Sequence, residues 1–427
     1  MADKTVLEQL SYERLPAVLV SATLPDDVPF GDDPLEELSA LAETAGLQVV
    51  GKLYQKLAQI SPRTYIGSGK VEELARLVKN SEARVVVLDN ELKPAQQKAL
   101  EEACGVSVLD RTELILVIFG QHARTRQAVV QVKLAQAEYE LPRLKNLWSH
   151  LERQRGALSA VGGAGERQIE VDRRLLRQRI HHMKDELEQI MRRRQVEVSR
   201  RHELFQVAIV GYTNAGKSTL MNALTNEGVL AEDKLFATLD TRTCVWRLPD
   251  HKVLLSDTVG FIRNLPHRLV ASFHATLEEV LQADLLLHVV DASHPSATEM
   301  VLAVEGVLKE IGAGDRRVLM AFNKIDRVQD QPALTHLHSL YPDHVDVSAR
   351  TGAGLENLRR RVQEVVEERE TRVDWTFSAG NGRLLAYLKQ HGKILEMDFE
   401  GDSVRVKALI EPRYLGQAAA MRDGKPA

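Results

Sequence analysis

The chain has 427 residues, 27% of them charged, and a formal net charge of −4, which leaves room for two to four domains and argues against a uniformly basic nucleic-acid coat protein. Its two cysteines, Cys104 and Cys244, exclude a disulfide framework and a Cys-rich metal site. The opening M-A-D-K-T-V-L-E-Q-L lacks a basic stretch followed by an apolar core, and the longest apolar runs (Leu114 to Phe119, Leu285 to Leu287) are strand-sized. The sequence therefore reads as soluble and cytoplasmic, with no integral membrane association.

Residues 1–123 alternate short apolar strands with amphipathic helices, which predicts a small α/β domain. The strands are Ala17–Val20, Val49–Val50, Val85–Leu88 and Val106–Leu109; L-E-E-L-S-A-L-A-E-T-A-G and V-E-E-L-A-R-L-V carry helical periodicity. Tyr65 to Lys70, Y-I-G-S-G-K, precedes a helix and could place a phosphate at its N-terminus, but a tight strand-to-helix turn is the favoured reading.

Residues 124–203 change character: apolar residues thin out and long charged helical stretches flank a Gly-rich break at Gly156, Gly162, Gly163 and Gly165. From Arg143 to Arg201 there are 15 Lys/Arg against 8 Asp/Glu, a balance of +7 in a chain that totals −4. The pattern predicts an antiparallel two-helix hairpin. A solvated coiled-coil face would account for the charges; the asymmetry and the Gly-rich basic tip favour RNA contact instead, with Arg153, Arg155 and Arg167 as candidate RNA-binding residues.

Residues 204–370 carry the chemistry. Gly211, Tyr212, Thr213, Asn214, Ala215, Gly216, Lys217 and Ser218 spell the phosphate loop G-x-x-x-x-G-K-[ST], after the strand-like Val207–Val210 and before a helical T-L-M-N-A-L. Backbone N–H groups of such a loop cradle phosphate, Lys217 reaches the β- and γ-phosphates, and the Ser218 hydroxyl suits Mg²⁺. Asp257, Thr258, Val259 and Gly260 form D-x-x-G after Val253–Leu255: a strand-end carboxylate for the metal and a glycine that can approach the γ-phosphate. Asn323, Lys324, Ile325 and Asp326 follow Val318–Phe322. An ionised Asp326 only accepts, so it pairs with the N1–H and N2–H₂ donors of guanine and rejects adenine. Ser348, Ala349 and Arg350 fit the last base-contacting loop. The segment that senses the γ-phosphate is best placed at Phe236, Ala237, Thr238, Leu239 and Asp240, with Thr238 favoured as metal ligand over Thr241 and Thr243. Lys217, Thr238 and Gly260 are the expected catalytic residues. Phe261 stands where Ras-like proteins carry a water-orienting Gln, so intrinsic hydrolysis should not exceed the ~10⁻⁴ s⁻¹ scale of unassisted Ras.

Residues 371–427 read strand, helix, strand, strand, with E-G-D-S as a hairpin turn and fraying expected from Met421. The fold class that emerges is α/β. A P-loop GTPase domain, its mostly parallel sheet covered by helices on both faces, follows a small α/β domain and a long α-helical hairpin and precedes a small α+β domain.

Along nearly its whole length the sequence resembles the HflX family of ribosome-associated GTPases. The resemblance lies in Y-I-G-S-G-K, V-L-D-N-E-L-K-P-A-Q-Q and D-R-T-E-L-I-L-V-I-F-G-Q-H-A-R-T-R, then in L-E-R-Q-R-G and G-A-G-E-R-Q-I-E-V-D-R-R-L-L-R-Q-R-I. It continues through G-Y-T-N-A-G-K-S-T-L, F-A-T-L-D and D-T-V-G-F-I-R-N-L-P. Ala164 stands where the family often has proline, and Asp240-Thr241-Arg242 where it has D-P-T. The resemblance implies Ser218 and Thr238 as Mg²⁺ ligands, GTP and GDP as ligands, and the large ribosomal subunit as partner, with the hairpin and the N-terminal domain facing ribosomal RNA. It also implies splitting, rescue or recycling of ribosomes under stress. A monomer is expected, slow alone and stimulated by ribosomes. Two other readings compete. A GTPase assisting tRNA modification would normally bring a C-terminal catalytic Cys, and none follows Cys244. A nucleotide-gated RNA-binding scaffold with little hydrolysis is kept open by Phe261.

Overall fold

The computed structural model describes residues 14–25, 31, 33–144, 164–199, 204–225, 236, 242–263, 274–410 and 412–423, with side chains at all of these except 164–168, 193–199, 274–277 and 413. Strands β1 (Pro16–Thr23), β2 (Gln48–Lys56), β3 (Val85–Leu88) and β4 (Ser107–Asp110) form a parallel sheet in the order β2-β1-β3-β4. Every residue of β3 is buried, the mark of a parallel strand covered by helices on both faces rather than one alternating in and out. The turn at Gly67 opens the helix Ser68–Asn80, its N–H donating to Gln55 Oε1 at 3.2 Å, while Lys70 pairs with Glu73 at 2.9 Å.

The apolar run Leu114 to Phe119 is helical, inside Arg111–His122. Asp110 starts that helix by accepting from Glu113 N at 2.9 Å. All six residues of the run are buried, because the helix is enclosed on every side, and a helix apolar all round has no other place to go. The following helix, Arg126–Glu140, turns Ala128, Val132, Ala135 and Tyr139 into the same core. It packs on the 36-residue helix Ala164–Ser199, with ion pairs Arg126–Glu186 at 2.6 Å and Lys184–Glu138 at 2.8 Å. Arg153, Arg155 and the Gly-rich tip up to Gly163 lie outside the described residues; Arg167 falls within the long helix, its side chain undescribed.

The second sheet contains β5 (Phe205–Val210), β6 (Arg242–Arg247), β7 (Lys252–Asp257), β8 (Leu285–Asp291), β9 (Val318–Asn323) and β10 (His344–Asp346), in the order β10-β9-β8-β5-β7-β6. All neighbours are parallel except β6 against β7. The chain passes from β5 to the edge strand β6, returns through β7 beside β5, and crosses to β8, β9 and β10 on the other side, so connections diverge at β5 and leave a crevice at its carboxyl end. On one flank the helix Leu355–Glu368 buries Leu358, Val362, Val365 and Val366, one stripe at helical spacing.

The third sheet is antiparallel: β11 (Thr371–Ser378), β12 (Gly392–Glu400) and β13 (Ser403–Ile410), in the order β11-β13-β12, with the helix Gly382–His391 between β11 and β12. A further helix, Pro412–Arg422, extends past the point where fraying was expected. It is held because Ala418 closes this sheet's core and Asn381 Nδ2 donates to Met421 O at 3.0 Å. Lys393 ties the unit to the second sheet through Asp250 at 2.6 Å and Glu367 at 2.9 Å. Among the described residues no helix is long and apolar enough to cross a membrane.

Candidate nucleotide-binding site

At the carboxyl end of β5 the chain makes the loop 211–216, and a helix begins at Lys217. Lys217 curls back over the loop, donating to Gly211 O at 3.1 Å and Tyr212 O at 2.8 Å. Gly216 has φ 90°, and a Cβ there would sit 2.4 Å from Asn323 Nδ2, so only glycine fits. Burial pushes the Lys217 ammonium down to about 8, opposed by Asp257 and reinforced by Lys324. The neighbouring His288 of β8 is driven to about 3, first by burial and then by Lys217, so it is neutral at physiological pH.

Asp257 ends β7, fully buried, and accepts from Ser218 Oγ at 2.6 Å. A hydroxyl beside a carboxylate at the mouth of the loop is a hard-oxygen donor set that fits Mg²⁺. Thr258 Oγ1 donates to Ile209 O at 2.7 Å and pins the turn to β5. Beyond half-buried Val259, a Cβ on Gly260 would lie 2.7 Å from Thr213 Cγ2 and 3.0 Å from Lys217 Nζ. Phe261 N donates to Gly211 O at 3.1 Å, and Phe261 O accepts from Thr213 N at 2.8 Å. The segment after D-T-V-G therefore lies directly on the phosphate loop.

Asn323 at the end of β9 locks two further loops to the first. Its Nδ2 donates to Ala215 O at 2.8 Å and its Oδ1 accepts from Ala349 N at 3.0 Å. Lys324, in the left-handed region at φ 61°, reaches Asn214 O at 2.8 Å and Asp291 at 2.7 Å. Ile325 N donates to Val347 O at 3.3 Å. Asp326 accepts from Ser348 Oγ at 2.6 Å and from Arg350; the Ser348 hydroxyl first, then Arg350, hold its carboxyl below the usual range. Three of the five sequence-expected segments thus meet at one end of the sheet, and the D-x-x-G segment joins them on the phosphate loop. Of the fifth, Phe236 is described and buried, in edge contact with Phe119 at 4.7 Å between ring centroids. Ala237, Thr238, Leu239, Asp240 and Thr241 lie outside the described residues; Thr243 is on β6, hydrogen-bonded to Ser256 Oγ at 3.0 Å.

Sequence reasoning missed a buried ionic cluster beside the loop. Arg111 pairs with Glu37 at 2.7 Å and Asp89 at 2.6 Å; Arg263 pairs with Glu37 and Asp89, each at 2.9 Å. The Tyr212 hydroxyl donates to Glu37 and accepts from Arg263 N at 3.0 Å. Burial alone would raise the Glu37 carboxyl, but Arg111 and Arg263 outweigh it and hold it low; at Asp89 burial prevails and the carboxyl is raised. The available signal was Arg111 heading an otherwise apolar helix; Glu37, in L-E-E-L, reads as a solvent face.

Three family models align with the chain in order: GTP-binding GTPase N-terminal over residues 32–120, GTP-binding GTPase Middle Region over 122–201, and 50S ribosome-binding GTPase over 206–324. The GTPase HflX of Magnetococcus marinus is 47% identical over 395 residues, covering 91% of this chain and 91% of that one. That of Caldanaerobacter subterraneus is 43% identical over 409 residues, covering 95% and 93%. The Escherichia coli protein of the same name is 44% identical over 352 residues, covering 82% of each. With the phosphate loop, the D-T-V-G turn and N-K-I-D joined at one strand end, and relatives of this identity matched along most of their length, the chain belongs to the HflX family of GTPases.

Proposed function

We propose that this GTPase binds GTP at the carboxyl ends of β5, β7 and β9 and hydrolyses it while engaged on the large ribosomal subunit, in ribosome splitting, rescue or recycling under stress. The observation that carries the reading is the convergence of Asn323, Lys324 and Asp326 on the phosphate loop through Ala215 O and Asn214 O. That convergence sets the distance between base and phosphates. Asp326, kept ionised, accepts from guanine N1–H and N2–H₂. Lys217 contacts the β- and γ-phosphates, and the Gly260 N–H faces the γ-phosphate.

Ser218 and Thr238 would hold Mg²⁺, with Asp257 beside them; when bound, the ion neutralises charge developing on the phosphoryl oxygens. Phe261 is 2% exposed and packed in a core, so it cannot orient the attacking water, and hydrolysis without a partner is slow. The ribosomal assignment is supported by the 50S ribosome-binding description of the model spanning 206–324 and by the +7 balance between Arg143 and Arg201. In this reading residues 1–123, 124–203, 204–370 and 371–427 are separate working parts of a cytoplasmic monomer, and Arg153, Arg155 and Arg167 contact ribosomal RNA. The test is GTP turnover with and without purified large subunits.

A further inference from the structure

We infer that His338, His344 and Asp346 form a binding site for one transition-metal ion, with Zn²⁺ the best match, at the corner where the helix Gln331–Leu340 meets the edge strand β10. The site shares no residue with the Ser218 and Asp257 oxygens offered to Mg²⁺, and it goes beyond the nucleotide reading above.

Local geometry brings the three side chains together. His338 lies in the last turn of its helix, and Tyr341, Pro342 and Asp343 turn the chain straight back into β10. His344 and Asp346 are two positions apart on a strand, so their side chains leave the same face. One nitrogen of each ring and one Asp346 oxygen lie within 4.8 Å of one another. Among the described residues no other three His, Cys, Asp or Glu side chains gather this closely. His338 Nε2 already meets Asp346 Oδ1 at 2.9 Å, and the two rings stack with centroids 4.1 Å apart, 15° from parallel. Phe322 of β9, fully buried, floors the group, its ring 5.6 Å from His338 and 5.3 Å from His344. The outer side is open, since the His338 and Asp346 side chains are 30% and 35% exposed, which gives an ion a way in.

The ring chemistry selects the ion. His344 Nδ1 lies 2.8 Å from Tyr341 O, and a carbonyl only accepts, so Nδ1 carries the proton and Nε2 is left to ligate. A backbone carbonyl holding one ring nitrogen and so orienting the other is the usual support of a metal-binding histidine. His338 needs only its neutral tautomer with the proton on Nδ1 to offer Nε2 beside Asp346. Two imidazoles and a carboxylate suit Zn²⁺ and match Mg²⁺ or Ca²⁺ poorly, because those ions prefer oxygen throughout. Zinc holds tetrahedral ligands roughly 3.4 Å apart, so the His338–Asp346 pair has to open slightly and the stacked rings have to splay until their lone pairs converge. The terminal torsion of histidine is soft enough for that, and water completes the four ligands. Val347 alone separates Asp346 from Ser348, whose hydroxyl holds Asp326, so a bound ion braces the strand that carries the base-contacting loop.

The test is titration of the tag-free, metal-stripped whole chain with Zn²⁺ alone, beside His344→Phe and Asp346→Asn. Phenylalanine keeps an aromatic ring in the stack and asparagine keeps the carboxylate's shape, so each removes a ligand and little else. The wild type should bind one Zn²⁺ roughly tenfold or more tighter than either variant. Zn²⁺ should also raise its melting temperature more than theirs. Equal Zn²⁺ affinity in the wild type and a folded variant would overturn the site, leaving any bound zinc to scattered surface groups. Co²⁺ in place of Zn²⁺ keeps the question decidable if neither variant folds. Intense visible absorption of a tetrahedral Co²⁺ complex in the wild type is the expected result, and the weak spectrum of aqueous, octahedral Co²⁺ would overturn the site.

Discussion

Asp326 takes a hydroxyl from Ser348 on one oxygen and the exposed Arg350 on the other, yet each carboxylate oxygen keeps a further lone pair for guanine. Asp326→Asn exchanges an acceptor for a donor and should lower GTP affinity by about 10²-fold while favouring xanthosine nucleotides, whose 2-oxo group accepts. Affinities for GTP, XTP and ATP check this; an unchanged GTP preference would remove Asp326 from the base site. Lys217 gives a pH dependence. Its folded value, about 8, lies below the ordinary 10.5, so the stability it contributes is present above the ordinary value and lost as pH falls through about 8. Bound phosphate reverses the bias by holding the ammonium charged, so above pH 8 binding takes up a proton. GTP affinity should fall roughly tenfold between pH 7 and 9, and Lys217→Arg should flatten the decline. At this scale the sequence was legible wherever a residue sits in a motif of fixed spacing, as Lys217, Asp257 and Asn323 do. Glu37 and Arg263 are 226 positions apart and meet only through packing, so no local pattern announces them.

Strands β1, β3, β5 and β9 were readable because each is a short, continuous apolar run, which a parallel sheet covered on both faces demands. The run Leu114–Phe119 carried no such assignment, since a fully enclosed helix has no polar face to set its period. The helix Pro412–Arg422 escaped because its Gly416 and three consecutive alanines give little amphipathic signal. The basic hairpin with its Gly-rich tip, whose second arm is the long helix Ala164–Ser199, is the element expected to meet RNA. Each Arg–phosphate contact releases condensed counterions, so replacing Arg153, Arg155 and Arg167 together by Ala should lower large-subunit affinity and flatten its dependence on log[salt] by roughly 2 to 3 units. GTP affinity should stay near wild type, because the phosphate loop is untouched. Co-sedimentation across a salt series checks both halves, and wild-type sedimentation by the triple variant would make the hairpin a solvated structural coil.

Over the whole molecule, the sequence divides into stretches of distinct composition, but the cores do not follow those divisions. One core runs from Leu19 and Phe119 through Tyr139 to Val210 and Phe261, so the N-terminal sheet, the first hairpin helix and the nucleotide site are packed together. Contacts at such separations depend on which apolar faces remain after each sheet has formed, and that is not written in any one segment. The arrangement places the GTPase site, with Phe261 sealed where a water-orienting side chain would stand, in one packed core with the N-terminal sheet. In the proposed function the large ribosomal subunit completes this site. Steady-state GTP turnover of the protein, measured alone and then with purified large subunits, decides whether it does. The expected rate is near or below ~10⁻⁴ s⁻¹ alone, with a rise on the order of 10²-fold or more when subunits are present. A rate that purified large subunits leave unchanged would contradict it.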